Sequence, residues 1–226
     1  MNALLFGSIG SIVETSELQR EAFNTAFQQH DLPWSWDQET YRDMLTVSGG
    51  AKRISDHART LGVRVDAKAI HGTKTKLFQE MLAARPFTPR PEVLEALARA
   101  RQQGLKTGFV TGTEAETVEI IAQRLAQLGA WEFDVVTSRA LGLPGKPDPA
   151  LYAHALGQIG VAASSAVAIE DNVDGVAAAK AAGLTVIASP GENTPQGALS
   201  QADAQSQQGL LTAMTEALGL SEGHIH

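Results

Sequence analysis

The chain has 226 residues, enough for one domain with an insertion around a sizeable core. Its formal net charge of −7 and pI near 5.4 disfavour a nucleic acid or an anionic membrane as a partner. The lack of cysteine excludes disulfides and thiolate chemistry, and the short apolar run near the first residue leads us to expect a cytoplasmic protein without a membrane-spanning helix.

Short apolar, β-branched runs alternate with helical patterns along most of the chain. The runs predict strands at 3–6, 107–110, 133–136, 166–169 and 185–188. The intervening periodicity predicts helices at 91–103, 114–128, 149–159 and 175–182, each followed closely by a glycine. Alternation of this kind predicts an α/β fold with a parallel sheet between two layers of helices.

About a hundred residues separate the first predicted strand from the second, which is too long for a plain crossover. Helical patterns at 17–29, 37–45, 51–61 and 67–82 fill this interval. We therefore predict an α-helical insertion at 16–85 in a core formed by 1–15 and 86–221. The segment 85–91 would be the return hinge, and the polar segment 191–208 is predicted to be a loop.

In open parallel sheets, ligands bind beyond the carboxyl ends of the strands, so the residues that follow each strand are the candidates for ligand binding. Thr111, Gly112 and Thr113 follow the second strand, where a hydroxyl and free backbone N–H groups suit an anion, although helix capping would also explain a threonine. Lys146 lies between Gly145 and Pro147, which makes it either a rigidly placed cation or a solvated surface charge.

Adjacent carboxylates, Glu170 and Asp171, follow the fourth strand. Two such groups at the end of a buried strand repel one another and need a cation or a nearby lysine. Hard oxygen ligands suit Mg²⁺. Capping of the next helix by Asp171 or Asn172 is the alternative, and one residue can cap while the other binds metal.

Together these motifs resemble those of the haloacid-dehalogenase superfamily, and the likeness covers nearly the whole chain. "GKPDPALY" is similar to its lysine motif, "AIEDNVDGVAAAKAAG" to its acidic motif, and "FVTGT" stands where a phosphate-binding hydroxyl belongs. The segments "ETSELQREAFNTAF", "LPWSWDQETYRDML" and "SGGAKRI" resemble the helical cap of the β-phosphoglucomutase-like branch, which includes sugar-bisphosphate phosphatases of CO₂-fixation operons.

This resemblance implies a Rossmann-like core with a helical cap over the site. In that superfamily an aspartate after the first strand attacks phosphorus, a second aspartate two residues later acts as acid and base, and Mg²⁺ assists. Carried over, Thr111 and Gly112 would bind phosphate and Lys146 would steady it. Glu170, Asp171 and the carbonyl of Ile9 would bind Mg²⁺, and Arg53 in the cap would contact the substrate.

The chain departs from the superfamily at its first motif. The pattern Phe-Asp-x-Asp-Gly-Thr-x-x-(Asp or Glu)-Thr reads "FGSIGSIVET" here, with Gly7 at the nucleophile and Ile9 at the acid/base position. Neither residue can accept a phosphoryl group or move a proton, so covalent catalysis is lost and Mg²⁺ binding should weaken. Lys146 would pair with Glu170 or Asp171, or a bound anion would neutralise it. Strand alternation predicts that Ser8 points away from the site.

Three hypotheses follow. The first is a phosphatase-fold protein that lacks aspartate-nucleophile activity but binds a small phosphorylated metabolite or an inorganic anion. The second is an atypical hydrolase in which Glu170 and Asp171 position a metal that activates water. The third is an interaction protein in which Trp34 and Trp36 belong to a partner surface, although packing within the cap would also explain them.

Overall fold

The computed structural model describes residues 1–45, 49–130, 132–195, 197–206 and 209–218. Ser48 of the cap segment, three positions of the predicted loop (196, 207 and 208) and the predicted end of the core at 219–221 lie outside the described residues. The described strands form one parallel sheet in the order β3-β2-β1-β4-β5-β6. They are β1 (Ala3–Gly7), β2 (Lys106–Val110), β3 (Val135–Val136), β4 (Ala166–Glu170), β5 (Thr185–Ala188) and β6 (Ala204–Gln205).

The helices follow the predicted pattern closely. They are α1 (Ser16–Gln29), α2 (Gln38–Met44), α3 (Gly50–Thr60), α4 (Ala67–Ala84), α5 (Val93–Gln102), α6 (Ala115–Gln127), α7 (Ala150–Ile159), α8 (Val173–Ala181) and α9 (Leu210–Leu218). Within the described ranges, no helix is both long and apolar enough to cross a membrane.

The core lies on both faces of the sheet, as the alternation of side chains along β1 requires. Leu4 and Phe6 point to one face and pack against α5, α6 and α9. Ala3 and Leu5 point to the other face and pack against α7 and α8. The α/β fold with helices on both sides of a parallel sheet is therefore confirmed.

Helices α1 to α4 form the helical insertion between β1 and β2, and they have a core of their own. Phe23, Phe27 and Trp36 pack together there, with ring centroids 4.6 to 6.1 Å apart. Trp34 and Trp36 are buried in this core. Of the two alternatives for these tryptophans, packing within the cap is therefore confirmed and a place on a partner surface is wrong.

The order of the strands places a crevice at the end of β1. From β1 the chain builds β2 and β3 on one side, then returns to add β4, β5 and β6 on the other. The loops that leave β1 and β4 therefore diverge, which opens the crevice where ligands bind in such sheets. The helical insertion covers this crevice.

Candidate functional site

A cavity of about 300 Å³ lies between the strand ends and the helical insertion. Its floor comes from the loops after β1, β2 and β4, with Ser8, Ile9, Gly10, Thr111, Asp171 and Asn172. Its roof comes from α1, α2, α3 and α4, with Gln19, Phe23, Tyr41, Arg53, His71 and Lys74. The cavity thus joins predicted site residues from four separate segments of the chain.

Asn193 and Arg90 hold the roof and the floor together. Asn193 is almost fully buried, and its Nδ2 donates to Ser16 Oγ (3.0 Å) and Glu17 Oε1 (2.8 Å) at the start of α1. The Arg90 guanidinium donates to the carbonyls of Gly10, Ser189 and Pro190. These contacts connect the hinge after the helical insertion with two loops of the sheet.

At the end of β1, the space for a side chain on residue 7 is already filled. A Cβ added to Gly7 would overlap Glu170 Oε1 and Tyr152 Oη. Glycine is thus the residue that lets the Glu170 carboxylate lie directly against the backbone of β1. In the superfamily that this chain resembles, residue 7 carries the nucleophile. Here the Glu170 carboxylate from β4 fills the space that this side chain would need.

Glu170 is completely buried and forms an ion pair with Lys146. Its Oε1 accepts hydrogen bonds from Lys146 Nζ (2.5 Å) and Tyr152 Oη (2.6 Å). Lys146 Nζ also donates to the Val110 carbonyl (2.9 Å). Burial, reinforced by the nearby Glu170 charge, raises the pKa of Tyr152 well above its usual value. The predicted pairing of Lys146 with Glu170 is confirmed, so Lys146 is not a solvated surface charge.

Ser8 contradicts the expectation that its side chain points away from the site. Ser8 lines the cavity, and its hydroxyl accepts a hydrogen bond from Asn172 Nδ2 (2.9 Å) and donates one to Glu170 Oε2 (3.3 Å). Lys146 Nζ lies 3.5 Å from the same Oγ. Alternation fails here because β1 ends at Gly7, and Ser8 takes φ 69° and ψ 161°. Almost only glycine adopts that backbone region, so the conformation is strained.

Asp171 lines the floor beside Ser8 and is held by its neighbours. Its Oδ1 accepts a hydrogen bond from Asn172 Nδ2 (2.8 Å), and its carboxylate lies where a Cβ on Gly10 would be. Burial, together with the Glu170 charge, raises the pKa of Asp171 to about 6. Asn172 caps α8 by accepting from Gly175 N–H (2.8 Å), so the capping alternative applies to Asn172.

The residues assigned to Mg²⁺ do not fit a metal site. Both oxygens of Glu170 already accept hydrogen bonds, as described above. The carbonyl of Ile9 accepts from the N–H groups of Ile12 and Val13, each at 2.9 Å, within a short 3₁₀ turn. Over the described part of the chain, no three or more His, Cys, Asp or Glu side chains are grouped so as to hold a metal ion. The donor set is therefore poorer than the sequence pattern predicts.

Thr111 lies on the floor, in the loop between β2 and α6. Its Oγ1 accepts a hydrogen bond from Thr113 N–H (3.2 Å), and its own N–H donates to Thr137 Oγ1 (2.8 Å). The N-cap position of α6 is Glu114, whose side chain makes no capping hydrogen bond, so helix capping does not account for Thr111. Gly112 follows Thr111, and its carbonyl lies 3.5 Å from Arg139 Nε.

The roof is basic. Arg53 lies 5.6 Å from the Tyr41 ring centroid and donates from Nε to the Met44 carbonyl (3.0 Å). Lys74 Nζ donates to Gln19 Oε1 (2.9 Å) between the rings of Phe23 and Phe78. Burial lowers the pKa of Arg53, and burial with the positive charge of Lys74 lowers the pKa of His71 to about 4.

The sequence interpretation missed Lys74, although a signal was present. Ile70, Lys74, Phe78 and Leu82 are the buried residues of α4, spaced four apart along one stripe. A lysine in register with three apolar residues of a helix must lie inside the protein. Burial, with a smaller contribution from the charge of Arg53, lowers the pKa of Lys74 to about 7.

Replacing Lys74 by methionine is expected to change how stability depends on pH. Between pH 7 and 10.5 the unfolded chain keeps the Lys74 proton and the folded chain does not, so the free energy of unfolding rises with pH. The native protein should gain on Lys74→Met by up to about 1.4 kcal/mol per pH unit in this window. Urea unfolding at pH 7, 8 and 9 measures this, with Lys76→Met, exposed on the same helix, as control. Parallel pH dependences of native protein and Lys74→Met would contradict the expectation.

Comparison with known proteins identifies the fold and its relatives. The family model described as haloacid dehalogenase-like hydrolase matches residues 1–183. Protein CbbY of Cereibacter sphaeroides is 35% identical over 207 residues, which are 90% of this chain and 90% of that protein. The crystal structure of CbbY from Rhodobacter sphaeroides in complex with phosphate matches with a TM-score of 0.80 and 32% identity, over 95% of this chain and 99% of that one. A CbbY mutant from that species in complex with xylulose-(1,5)bisphosphate also has a TM-score of 0.80 and 32% identity, over 94% and 99%.

Proposed function

This chain belongs to the haloacid dehalogenase-like hydrolases, and we propose that it binds a phosphorylated metabolite or an inorganic anion without turning it over through an aspartyl nucleophile. The observation that carries the proposal lies at the end of β1. There Gly7 provides no nucleophile, and the Glu170 carboxylate, paired with Lys146, fills the space that one would need. Ile9 provides no proton, so the acid and base of aspartate-dependent hydrolysis are lost as well.

The basic roof supports anion binding. The protein is acidic overall, with a net charge of −7, so an anionic ligand has to be held by local groups. Arg53 and Lys74 line the same cavity within a wall of aromatic side chains, and each loses solvation there. An anion entering the cavity would offset that loss of solvation and favour the charged form of both side chains. The cavity volume of about 300 Å³ is at the lower end of the range for small-molecule sites.

On the floor, we assign the anion to Thr111, Gly112 and Lys146. Thr111 lines the cavity, and Gly112 and Thr113 precede the N-terminus of α6, whose dipole favours a negative charge. Lys146 already donates to Glu170, so it would stabilise the anion indirectly. Ser8, whose Oγ lies 3.5 Å from Lys146 Nζ, would stand between Lys146 and the anion. The relatives crystallised with phosphate and with xylulose-(1,5)bisphosphate support a phosphate or a sugar bisphosphate as the ligand class. We assign Mg²⁺ at most a weak role, because its donors are engaged elsewhere.

Inorganic phosphate at about 100 times its Kd is expected to stabilise the protein by about 2.7 kcal/mol. For a chain of this size, that raises the melting temperature by about 5–10 °C. Arg53→Ala should weaken phosphate binding about tenfold, because a hydrogen bond between charged groups contributes about 1.5–3 kcal/mol. Arg59→Ala, exposed on the same helix, is the matched control. Calorimetric titration of the three proteins measures the Kd. Equal affinities for the native protein and Arg53→Ala would show that Arg53 of the roof does not contribute to phosphate binding.

A further inference from the structure

We infer that Ser8 is a nucleophile that accepts a phosphoryl group from an acyl phosphate bound in the cavity. The inference rests on the proposed anion site and goes beyond it, since it assigns a covalent step to a chain without the aspartyl nucleophile. Its basis is the placement of one hydroxyl between the cavity and a buried ion pair.

The first step concerns the neighbours of Ser8. Oε1 of Glu170 accepts hydrogen bonds from both Lys146 Nζ (2.5 Å) and Tyr152 Oη (2.6 Å). These two donors fix the carboxylate so that its other oxygen, Oε2, accepts from the Ser8 hydroxyl at 3.3 Å. A nucleophile within hydrogen-bond reach of a base, with the base oriented by further groups, is the arrangement that activates serine in hydrolases.

The second step concerns the strain at Ser8. Its φ of 69° and ψ of 161° fall in a region that essentially only glycine occupies, and such residues cluster at functional sites. A glycine at position 8 would adopt this conformation without strain, and the same loop already has glycines at positions 7 and 10. The serine that stands at position 8 instead lines the cavity together with Thr111, and its hydroxyl contacts Asn172 and Glu170.

The third step identifies the donor. When Ser8 Oγ attacks phosphorus, its proton passes to Glu170 Oε2, the Oγ–P bond forms, and the bond from phosphorus to the leaving oxygen breaks. The leaving group takes the electron pair. An alcohol leaving group needs a proton at that moment, and Ile9 stands where the superfamily keeps its proton donor. The carboxylate of an acyl phosphate leaves without a proton, so a site with a base and no acid suits acyl phosphates.

The product is a phosphoserine formed once per chain. Attack of water on it needs a base, and neither candidate can serve: position 9 is isoleucine, and Glu170 already carries the proton taken from Ser8. The transfer is therefore stoichiometric, and it is compatible with a protein that does not turn over phosphate esters.

Acetyl phosphate is the probe that tests the inference. The native protein should gain the mass of one phosphoryl group, located on Ser8 by fragmentation mass spectrometry. Ser8→Ala should be labelled at least about 10²-fold more slowly, and Glu170→Gln similarly, because loss of a general base costs about 10²–10⁴-fold. Ser8→Gly should show the same loss with a raised melting temperature, which separates loss of the hydroxyl from damage to the fold. Ser55→Ala is the matched control, since Ser55 is an exposed serine of α3 outside the cavity.

Each outcome decides between the two proposals. Labelling confined to Ser8 and retained in Ser55→Ala supports the inference. Phosphate binding without labelling, or labelling that persists in Ser8→Ala, overturns the inference and leaves the anion site standing. Absence of both phosphate binding and labelling overturns both.

Discussion

Replacing Lys146 by methionine is expected to lower the free energy of unfolding by about 3–5 kcal/mol, because it leaves a buried carboxylate without its partner. Glu170 is completely buried, and 10% of the Lys146 side chain is exposed, so solvent screens the pair little. For a chain of this size, the loss corresponds to a fall in melting temperature of about 6–20 °C. Urea unfolding followed by circular dichroism measures the change.

Two further variants test whether the loss of stability comes from the buried ion pair or from the removal of any lysine charge. Lys146→Met combined with Glu170→Gln should recover most of the loss, because removal of both charges is often neutral. Lys180→Met removes a lysine from an exposed pair with Asp203 and should cost at most about 1 kcal/mol. If the double variant were as unstable as Lys146→Met, the ion pair would not be the source of the effect.

The second large effect is expected from Gly7→Asp combined with Ile9→Asp. The double variant should gain Mg²⁺-dependent phosphatase activity at least about 10²-fold above either single variant, since acid–base help alone contributes about 10²–10⁴-fold. The new carboxylate at position 7 restores the covalent route, and the one at position 9 restores proton transfer. Release of phosphate from a sugar phosphate by the purified variants is the measurement.

The gain of activity requires that Glu170 and Tyr152 make room for the new side chain at position 7. The side chain introduced by Gly7→Asp would enter the space now held by Glu170 and Tyr152, so the double variant without metal should melt at a lower temperature than the native protein. Mg²⁺ should stabilise the double variant by drawing the Glu170 carboxylate away from Lys146, and it should leave the native protein unchanged. The control with asparagine at both positions keeps the volumes and lacks the charges. A folded double variant with no activity above this control would show that more than two aspartates are missing.

The sequence predicted the strands and helices well because each follows from local patterning. Apolar runs such as 166–169 match β4, and the periodic segments between them match α5 to α8. The strand β6, Ala204–Gln205, was wrongly predicted as loop. Its two residues carry no apolar alternation, and it exists through backbone pairing with Ile187 and Ala188 of β5.

The site was predictable only where a motif fixes the position of a residue. The neighbourhood of Lys146 and Glu170 follows from the parallel sheet, which brings the carboxyl ends of its strands together. Ser8 was wrongly predicted because strand alternation stops one residue earlier, at Gly7, and periodicity cannot show that change of backbone conformation. The basic roof depends on how α3 and α4 pack over the sheet. That arrangement brings Arg53 and Lys74 to one cavity, although they lie 21 positions apart in the chain.

The most direct test of the proposed function is ³¹P NMR of the native protein mixed with a sugar bisphosphate and Mg²⁺. We predict that the ligand resonances shift or broaden in proportion to the bound fraction, and that inorganic phosphate does not accumulate. Arg53→Ala should raise the Kd obtained from these shifts about tenfold. Repeated release of phosphate by the native protein, retained through a second purification, would contradict the account, and so would resonances that stay unchanged at saturating protein.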